Sequence, residues 1–126
     1  MPLVRIDVPE GRSEADLASI GDGVHRALVE AIGIPPQDRF QVLTRQPRDL
    51  LVFDRHYLGI DRSDGIVFVQ ITMSLGRSLD QKKALYAAIV RNLGEKPRVR
   101  AEDVFVNLVE VVKENWSFGN GVAQYA

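Results

Sequence analysis

The sequence predicts an α+β fold in which a βαβ unit occurs twice, giving a four-stranded sheet with two helices on one face. Three observations predict it. The 126 residues suit a single domain over 1–126, since domains usually hold about 100–150 residues. A gapless shift of 65 residues gives 11 identities in the 40 pairs from Val4/Val69 to Leu43/Leu108. Each copy also passes from a strand-like apolar run to a helical period and back.

The first copy, about residues 3–44, is predicted as strand, helix and strand. A strand is expected over residues 3–8. Ser13 is well placed to cap the following helix, because its hydroxyl can accept a first-turn N–H. Gly33, followed by two prolines, should end that helix. A closing strand is expected at about residues 40–44. The apolar stripe of the helix recurs every three or four residues: Leu17, Ile20, Val24, Leu28 and Ile32.

The second copy, about residues 66–111, repeats this order. The β-branched and aromatic run over residues 66–73 is typical of a buried strand. Ser78 should cap the second helix, whose stripe contains Leu85, Ile89 and Leu93. Gly94 followed by Pro97 is expected to end it, and residues 104–111 to form the last strand. The polar residues 45–65 predict a hairpin or a surface excursion, and residues 112–126 form a C-terminal tail.

This topology predicts where side chains meet. The strands of a βαβ unit are normally parallel, and a pseudo-twofold relation would set the two units antiparallel. Pro2, Asp38 and Arg77 should then lie at one corner of the sheet. Arg12, the counterpart of Arg77, should lie at the opposite corner with Val67 and Asp103.

Composition excludes several classes of function. Sixteen basic and seventeen acidic residues give a net charge of −1 without a charged block, so no nucleic-acid or anionic-lipid partner is indicated. The chain has no cysteine and only two histidines, so neither a disulfide framework nor a metal site is expected. No apolar run approaches the roughly 20 residues of a membrane span. We therefore expect a cytoplasmic protein without a cofactor.

Pro2 is the first candidate for chemistry. An initiator methionine is commonly removed before a small residue such as proline, which would leave a secondary amine at the N-terminus. An α-amino group has an unperturbed pKa of about 7.7–8.0, and burial or a nearby cation lowers it. Such an amine could act as a general base or acid. The alternative is that Pro2 only begins an edge strand, where a missing N–H costs nothing.

The other candidates also have two interpretations. Arg77 could bind a carboxylate bidentately, or be a solvated arginine before a helix. Asp38 could orient a water or hold the prolyl ammonium, or be a turn aspartate like Asp103. Trp116 and Phe118 precede flexible glycines and could fold over a pocket, although Trp116 could instead seal the core or a subunit contact. Two further side chains are expected to be structural or exposed: His25 and His56.

Together these residues resemble the tautomerase superfamily, and within it the malonate semialdehyde decarboxylase group. The resemblance covers essentially the whole chain and rests on a combination of motifs. They are Met1-Pro2 opening a strand, Asp38-Arg39-Phe40-Gln41 after a Gly-x-Pro helix stop, Gly76-Arg77-Ser78 leading into Asp80-Gln81-Lys82-Lys83, and Asn115-Trp116-Ser117-Phe118-Gly119. One position departs: the decarboxylase pattern has Arg-Pro-Arg where this chain has Leu75-Gly76-Arg77.

The resemblance implies a homotrimer and a catalytic N-terminal proline. It places Pro2 as base or acid, Asp38 as its partner, Arg77 as carboxylate anchor, and Trp116 and Phe118 as pocket wall. With one arginine, enol–keto proton transfer on a small 2-oxo acid is the first hypothesis. Decarboxylation or hydration of a 3-oxo acid such as malonate semialdehyde is the second. A non-catalytic trimeric ligand-binding module is the third.

Overall fold

The two predicted βαβ units are present in the computed structural model, which describes residues 1–126. The chain order confirms the predicted fold class. Short 3₁₀ turns lie between or after the main elements at Arg48–Leu50, Tyr57–Gly59, Ala101–Asp103 and Lys113–Asn115. The main elements are β1 (Leu3–Pro9), α1 (Glu14–Ile32), β2 (Gln41–Gln46), β3 (Val67–Ser74), α2 (Leu79–Glu95) and β4 (Val104–Val111).

The sheet has the strand order β2-β1-β3-β4. β1 pairs with β2 in parallel, starting with Val4 opposite Gln41, and β3 pairs with β4 in parallel. The central pair β1 and β3 is antiparallel. The predicted relation between the two units is therefore confirmed, and the start of β1 lies at the same end of the sheet as the end of β3.

Both helices begin at the predicted serines. The Ser13 hydroxyl accepts from the Asp16 N–H, and the Ser78 hydroxyl accepts from the Gln81 N–H. Gly33 closes α1 at φ 69°, a left-handed conformation that suits glycine. Helix α2 was predicted to end at Gly94, but it continues to Glu95. An interior glycine costs only about 1 kcal/mol relative to alanine, so it weakens a helix without ending it.

The core lies between the helices and one face of the sheet. Alternate residues of β1 and β3 point into it, which is the period expected of strands covered on one side. A buried polar contact joins the helices, where the Asn92 side-chain amide donates to the Gly23 carbonyl at 3.0 Å. The largest fully buried side chains are Ile6, Ile20, Leu28, Ile66, Ile71, Met73, Leu85, Ile89 and Leu93.

Two boundaries differ from prediction. Strand β2 begins at Gln41 and continues to Gln46, because its backbone pairs with β1 as far as Pro9. For residues 45–65 the surface excursion, one of the two predicted alternatives, is confirmed: after β2 they form two 3₁₀ turns and an exposed path across the surface, without a hairpin. Neither helix is long and apolar enough to cross a membrane.

Candidate functional site

Asp38 meets the N-terminus of the chain at one corner of the sheet. A turn holds the aspartate, since its backbone N–H donates to the Pro35 carbonyl at 3.0 Å. Its side chain is buried, and Oδ2 lies 2.5 Å from the ammonium nitrogen of Met1. The parallel ladder fixes this meeting, because Val4 N–H donates to the Phe40 carbonyl. A buried carboxylate thus faces an amine.

Arg77 reaches the same corner from the other repeat. Gly76, at φ 126°, turns the chain out of β3, and the cap at Ser78 begins α2 directly after the arginine. Arg77 is half-buried and forms no side-chain hydrogen bond or ion pair. Met1, Asp38 and Arg77 line one cavity of about 530 Å³, a volume usual for small-molecule sites. The structure therefore brings together the N-terminus, Asp38 and Arg77.

An aromatic wall lies beside this cavity. Trp116 and Phe118 stack with ring centroids 5.3 Å apart, and the indole N–H of Trp116 donates to the hydroxyl of buried Ser74 at 3.0 Å. With Phe40 and buried Pro2 they line a second cavity of about 210 Å³. Pro2 is thus a buried residue beside two aromatic rings.

The C-terminal tail adds residues that the sequence did not indicate. The Gln124 side chain accepts from the Phe118 N–H and donates to the Gly119 carbonyl, both at 2.9 Å, which folds the tail back. Tyr125 packs edge-on to Phe118 at 4.9 Å and lines the cavity of Asp38. Burial and the negative charge of Asp38 raise the pKa of Tyr125. Its hydroxyl, which is neutral at pH 7 even at the ordinary tyrosine pKa of about 10, is a hydrogen-bond donor in this cavity.

Lys113 also lines this cavity. It begins the 3₁₀ turn after β4, and its ammonium has no carboxylate partner. Neither Lys113 nor Tyr125 lies in a segment with helical or strand periodicity, so no sequence pattern predicted that they line this cavity. The proximity of Lys113 to Trp116 in the chain was the only available signal.

The opposite corner is filled by the chain itself. Arg12 donates to the Gly65 carbonyl at 2.6 Å, and buried Asp103 accepts from the N–H and the hydroxyl of Ser63. A Cβ on Gly65 would lie 3.0 Å from the Arg12 guanidinium and 3.3 Å from the Asp103 carboxylate. The predicted placement of Arg12 and Asp103 at one corner is confirmed. The backbone of residues 63–65 fills this corner, whereas the chain terminus lies at the other.

The histidines lie outside this arrangement. His25 is half-buried, and its Nε2 donates to the Pro36 carbonyl at 2.7 Å, which fits a structural role. His56 is exposed on the excursion. The groups available for acid–base chemistry at the corner of Asp38 are therefore the terminal amine, the Asp38 carboxylate and the Tyr125 phenol. Two cations, Arg77 and Lys113, can bind an anionic ligand there.

A duplicated βαβ chain with this corner defines a class of small enzymes that use an N-terminal amine. Two family models, both described as tautomerase enzyme, match residues 38–119 and 2–50. A probable tautomerase of Bacillus subtilis strain 168, YusQ, is 38% identical over 98% of both chains. The chain belongs to the tautomerase superfamily and is an enzyme of its malonate semialdehyde decarboxylase-like group.

Two solved structures support this assignment. FG41 malonate semialdehyde decarboxylase, inhibited by 3-bromopropiolate, is 38% identical at a TM-score of 0.92, covering 98% of this chain and 93% of its own. A second malonate semialdehyde decarboxylase, described with decarboxylase and hydratase activities, is 33% identical at a TM-score of 0.90, covering 98% and 95%.

Proposed function

We propose that the amine of Pro2, freed by removal of Met1, transfers a proton between the enol and keto forms of a small 2-oxo acid. One observation carries this proposal: the chain start lies at the buried carboxylate of Asp38, whose Oδ2 is 2.5 Å from the ammonium of Met1, the residue before Pro2, in a cavity that Arg77 also lines. An α-amino group titrates close to neutrality, which suits a general base that later acts as the acid.

In this reaction Pro2 both accepts and donates the proton. The neutral Pro2 nitrogen takes the proton of the enol hydroxyl, and the resulting ammonium delivers a proton to C3 of the substrate. Arg77 binds the carboxylate, because a guanidinium matches its two oxygens. Asp38 holds the ammonium form in place, while Trp116 and Phe118 exclude water from the amine.

Replacing Pro2 with Ala tests the assignment. The variant should lose at least about a hundredfold in kcat/KM with phenylenolpyruvate, the lower size of a general-base contribution. Pro47→Ala, at an exposed proline on the excursion, is the matched control and should keep full activity. Intact mass must show loss of Met1, and an unchanged rate in Pro2→Ala would refute the role.

Decarboxylation or hydration of a 3-oxo acid is the second candidate. The observation that favours it is the similarity to two malonate semialdehyde decarboxylases, at 38% and 33% identity. The departure at Leu75-Gly76-Arg77 counts against it, since the first arginine of that pattern is missing. Assaying the same proteins with malonate semialdehyde decides between them, because acetaldehyde forms only by decarboxylation.

We also propose that the chain forms a homotrimer, as the resemblance implies. The sheet face opposite the helices is covered where Phe53 of the excursion packs against Phe68. It carries apolar side chains that are 37–46% exposed: Val42, Phe105 and Val109. A second layer normally covers such a face. The cytoplasmic location and the absence of nucleic-acid or membrane partners stay predictions of the composition.

A further inference from the structure

Ser74 is a buried polar side chain that is linked to both cavities of the candidate site. It is the last residue of β3 and lines the cavity of Asp38 and Arg77, although only 5% of its surface is exposed. Its hydroxyl oxygen accepts the indole N–H of Trp116 at 3.0 Å, and Trp116 lines the cavity of Pro2. Ser74 therefore joins the surroundings of the amine to those of the carboxylate anchor.

The hydrogen of the Ser74 hydroxyl has no acceptor in the chain. An indole N–H can only donate, whereas a serine hydroxyl accepts and also donates once. The bond from Trp116 thus uses a lone pair of the Ser74 oxygen and leaves its hydrogen free. Asp38 supplies the one carboxylate that lines the same cavity, and it accepts from the chain terminus and not from Ser74. Because buried donors are normally paired, this hydroxyl is available to an acceptor on a molecule in the cavity.

The sequence repeat indicates that the strand end does not itself require a hydroxyl. The 65-residue shift pairs Ser74 with Pro9, which ends β1 as Ser74 ends β3. Pro9 has no side-chain donor, and it lies at the end of the sheet where residues 63–65 fill the corner. Of the two equivalent positions, the hydroxyl occurs only at the corner of Asp38.

We propose that Ser74 donates a hydrogen bond to the oxygen at C2 of the substrate. The inference deepens the proposed function, on which it rests for the class of substrate. Arg77 matches both oxygens of a carboxylate, so the remaining acceptor of a 2-oxo acid or its enol is the oxygen at C2. Ser74 is then a binding residue that favours acids with this oxygen over acids without it.

The proton transfer strengthens this hydrogen bond. When the neutral nitrogen of Pro2 takes the enol proton, the electron pair of the O–H bond stays on the C2 oxygen, which is negative until C3 receives a proton. A donor aimed at developing charge stabilises it, and hydrogen bonds to charged groups are stronger than neutral ones. Ser74→Ala should therefore lower kcat/KM with phenylenolpyruvate about tenfold to a hundredfold.

Pyruvate and propionate are matched probes, since they share a three-carbon chain and a carboxylate and differ in the oxygen at C2. Their dissociation constants are measured by ligand-observed NMR on the methyl signals, with the mature wild type, Ser74→Ala and Ser19→Ala. Ser19 is a half-buried serine of α1 and is the matched control. We expect Ser74→Ala to weaken pyruvate about threefold to tenfold, to leave propionate unchanged, and Ser19→Ala to change neither.

Trp116→Phe separates substrate binding from a purely structural role of Ser74. It removes the indole donor but keeps the hydroxyl, so it breaks the same internal hydrogen bond that Ser74→Ala breaks. The ratio of the two dissociation constants should keep its wild-type value in Trp116→Phe and change only in Ser74→Ala. An equal change of this ratio in both variants would overturn the proposal. So would equal weakening of both acids in Ser74→Ala, unchanged pyruvate binding, or no measurable pyruvate binding by the wild type.

The binding measurement needs no turnover, so the two proposals fail separately. If Pro2→Ala keeps full activity while Ser74→Ala selectively loses pyruvate, the proton-transfer function fails and the Ser74 donor stands. An inactive Pro2→Ala together with unchanged pyruvate binding in Ser74→Ala rejects the donor and keeps the function.

Discussion

Tyr125, near the end of the chain, and Asp38, three residues before β2, line the same cavity. Burial and the carboxylate charge both favour the neutral phenol, which raises the pKa of Tyr125. A neutral phenol can donate a hydrogen bond to a substrate oxygen, whereas a phenolate would repel an anionic substrate. The tail thus contributes a donor to the same cavity as Arg77.

Replacing Asp38 with Asn should lower the pKa of Tyr125. The substitution removes the negative charge but leaves burial in place, so the pKa stays above its ordinary value while falling from that of the wild type. Absorbance titration of the phenolate measures it, with Tyr125→Phe subtracted to isolate this tyrosine. Asp49→Asn, on the exposed turn at Arg48–Leu50, is the control, and an identical titration in Asp38→Asn would contradict the contact.

The residues of the corner differ in how far sequence could predict them. Asp38 and Arg77 follow from strand order, because the ends of paired strands must meet at one edge. Tyr125 and Lys113 could not be placed in this way. The position of Tyr125 depends on the two hydrogen bonds of Gln124 and on packing against Phe118, and neither leaves a periodic signal.

At the scale of elements, the two helices begin differently despite their shared Gly-Arg-Ser. Ser78 and Gln81 form a reciprocal capping box, which satisfies two first-turn donors. Ser13 accepts one N–H, from Asp16. The helix start that follows Arg77 is therefore held by one more hydrogen bond than the helix start that follows Arg12.

Replacing Ser78 with Ala should lower the free energy of unfolding by about 1 kcal/mol and raise KM by loosening Arg77. Ser13→Ala is the matched control: it should lower stability by a similar or smaller amount and leave KM unchanged, because Arg12 lies at the closed corner. Urea unfolding at one protomer concentration and steady-state kinetics check both. Equal KM values in the two variants would contradict a role of the cap in holding Arg77.

Element boundaries were predictable where one local signal decides them. The Ser13 cap begins α1 and the left-handed Gly33 ends it, each by its own local chemistry, so the bounds of α1 were predicted closely. The end of α2 and the length of β2 depend on tertiary partners: α2 continues past Gly94, and β2 extends as far as β1 offers pairing, to Gln46 opposite Pro9.

At the scale of the whole molecule, the duplication produces two equivalent corners of the sheet. They differ because only one of them lies at the chain terminus. At one, Asp38 faces a terminal ammonium. At the other, Asp103 faces the N–H and the hydroxyl of Ser63, since β3 is preceded by chain and not by a terminus. The sequence repeat predicted both corners. It could not predict that residues of the excursion, Ser63 and Gly65, fill the corner of Asp103.

The sheet face opposite the helices is the proposed subunit interface. Phe105 is 46% exposed there and contacts Phe68 at a ring distance of 5.3 Å. A buried charge without a partner is costly, so Phe105→Asp should dissociate the proposed trimer into protomers in sedimentation equilibrium. Tyr86→Asp, at a 37% exposed aromatic of α2 on the helical side, should stay trimeric. A monomeric wild type, or equal behaviour of both variants, would show that this face is not the subunit interface.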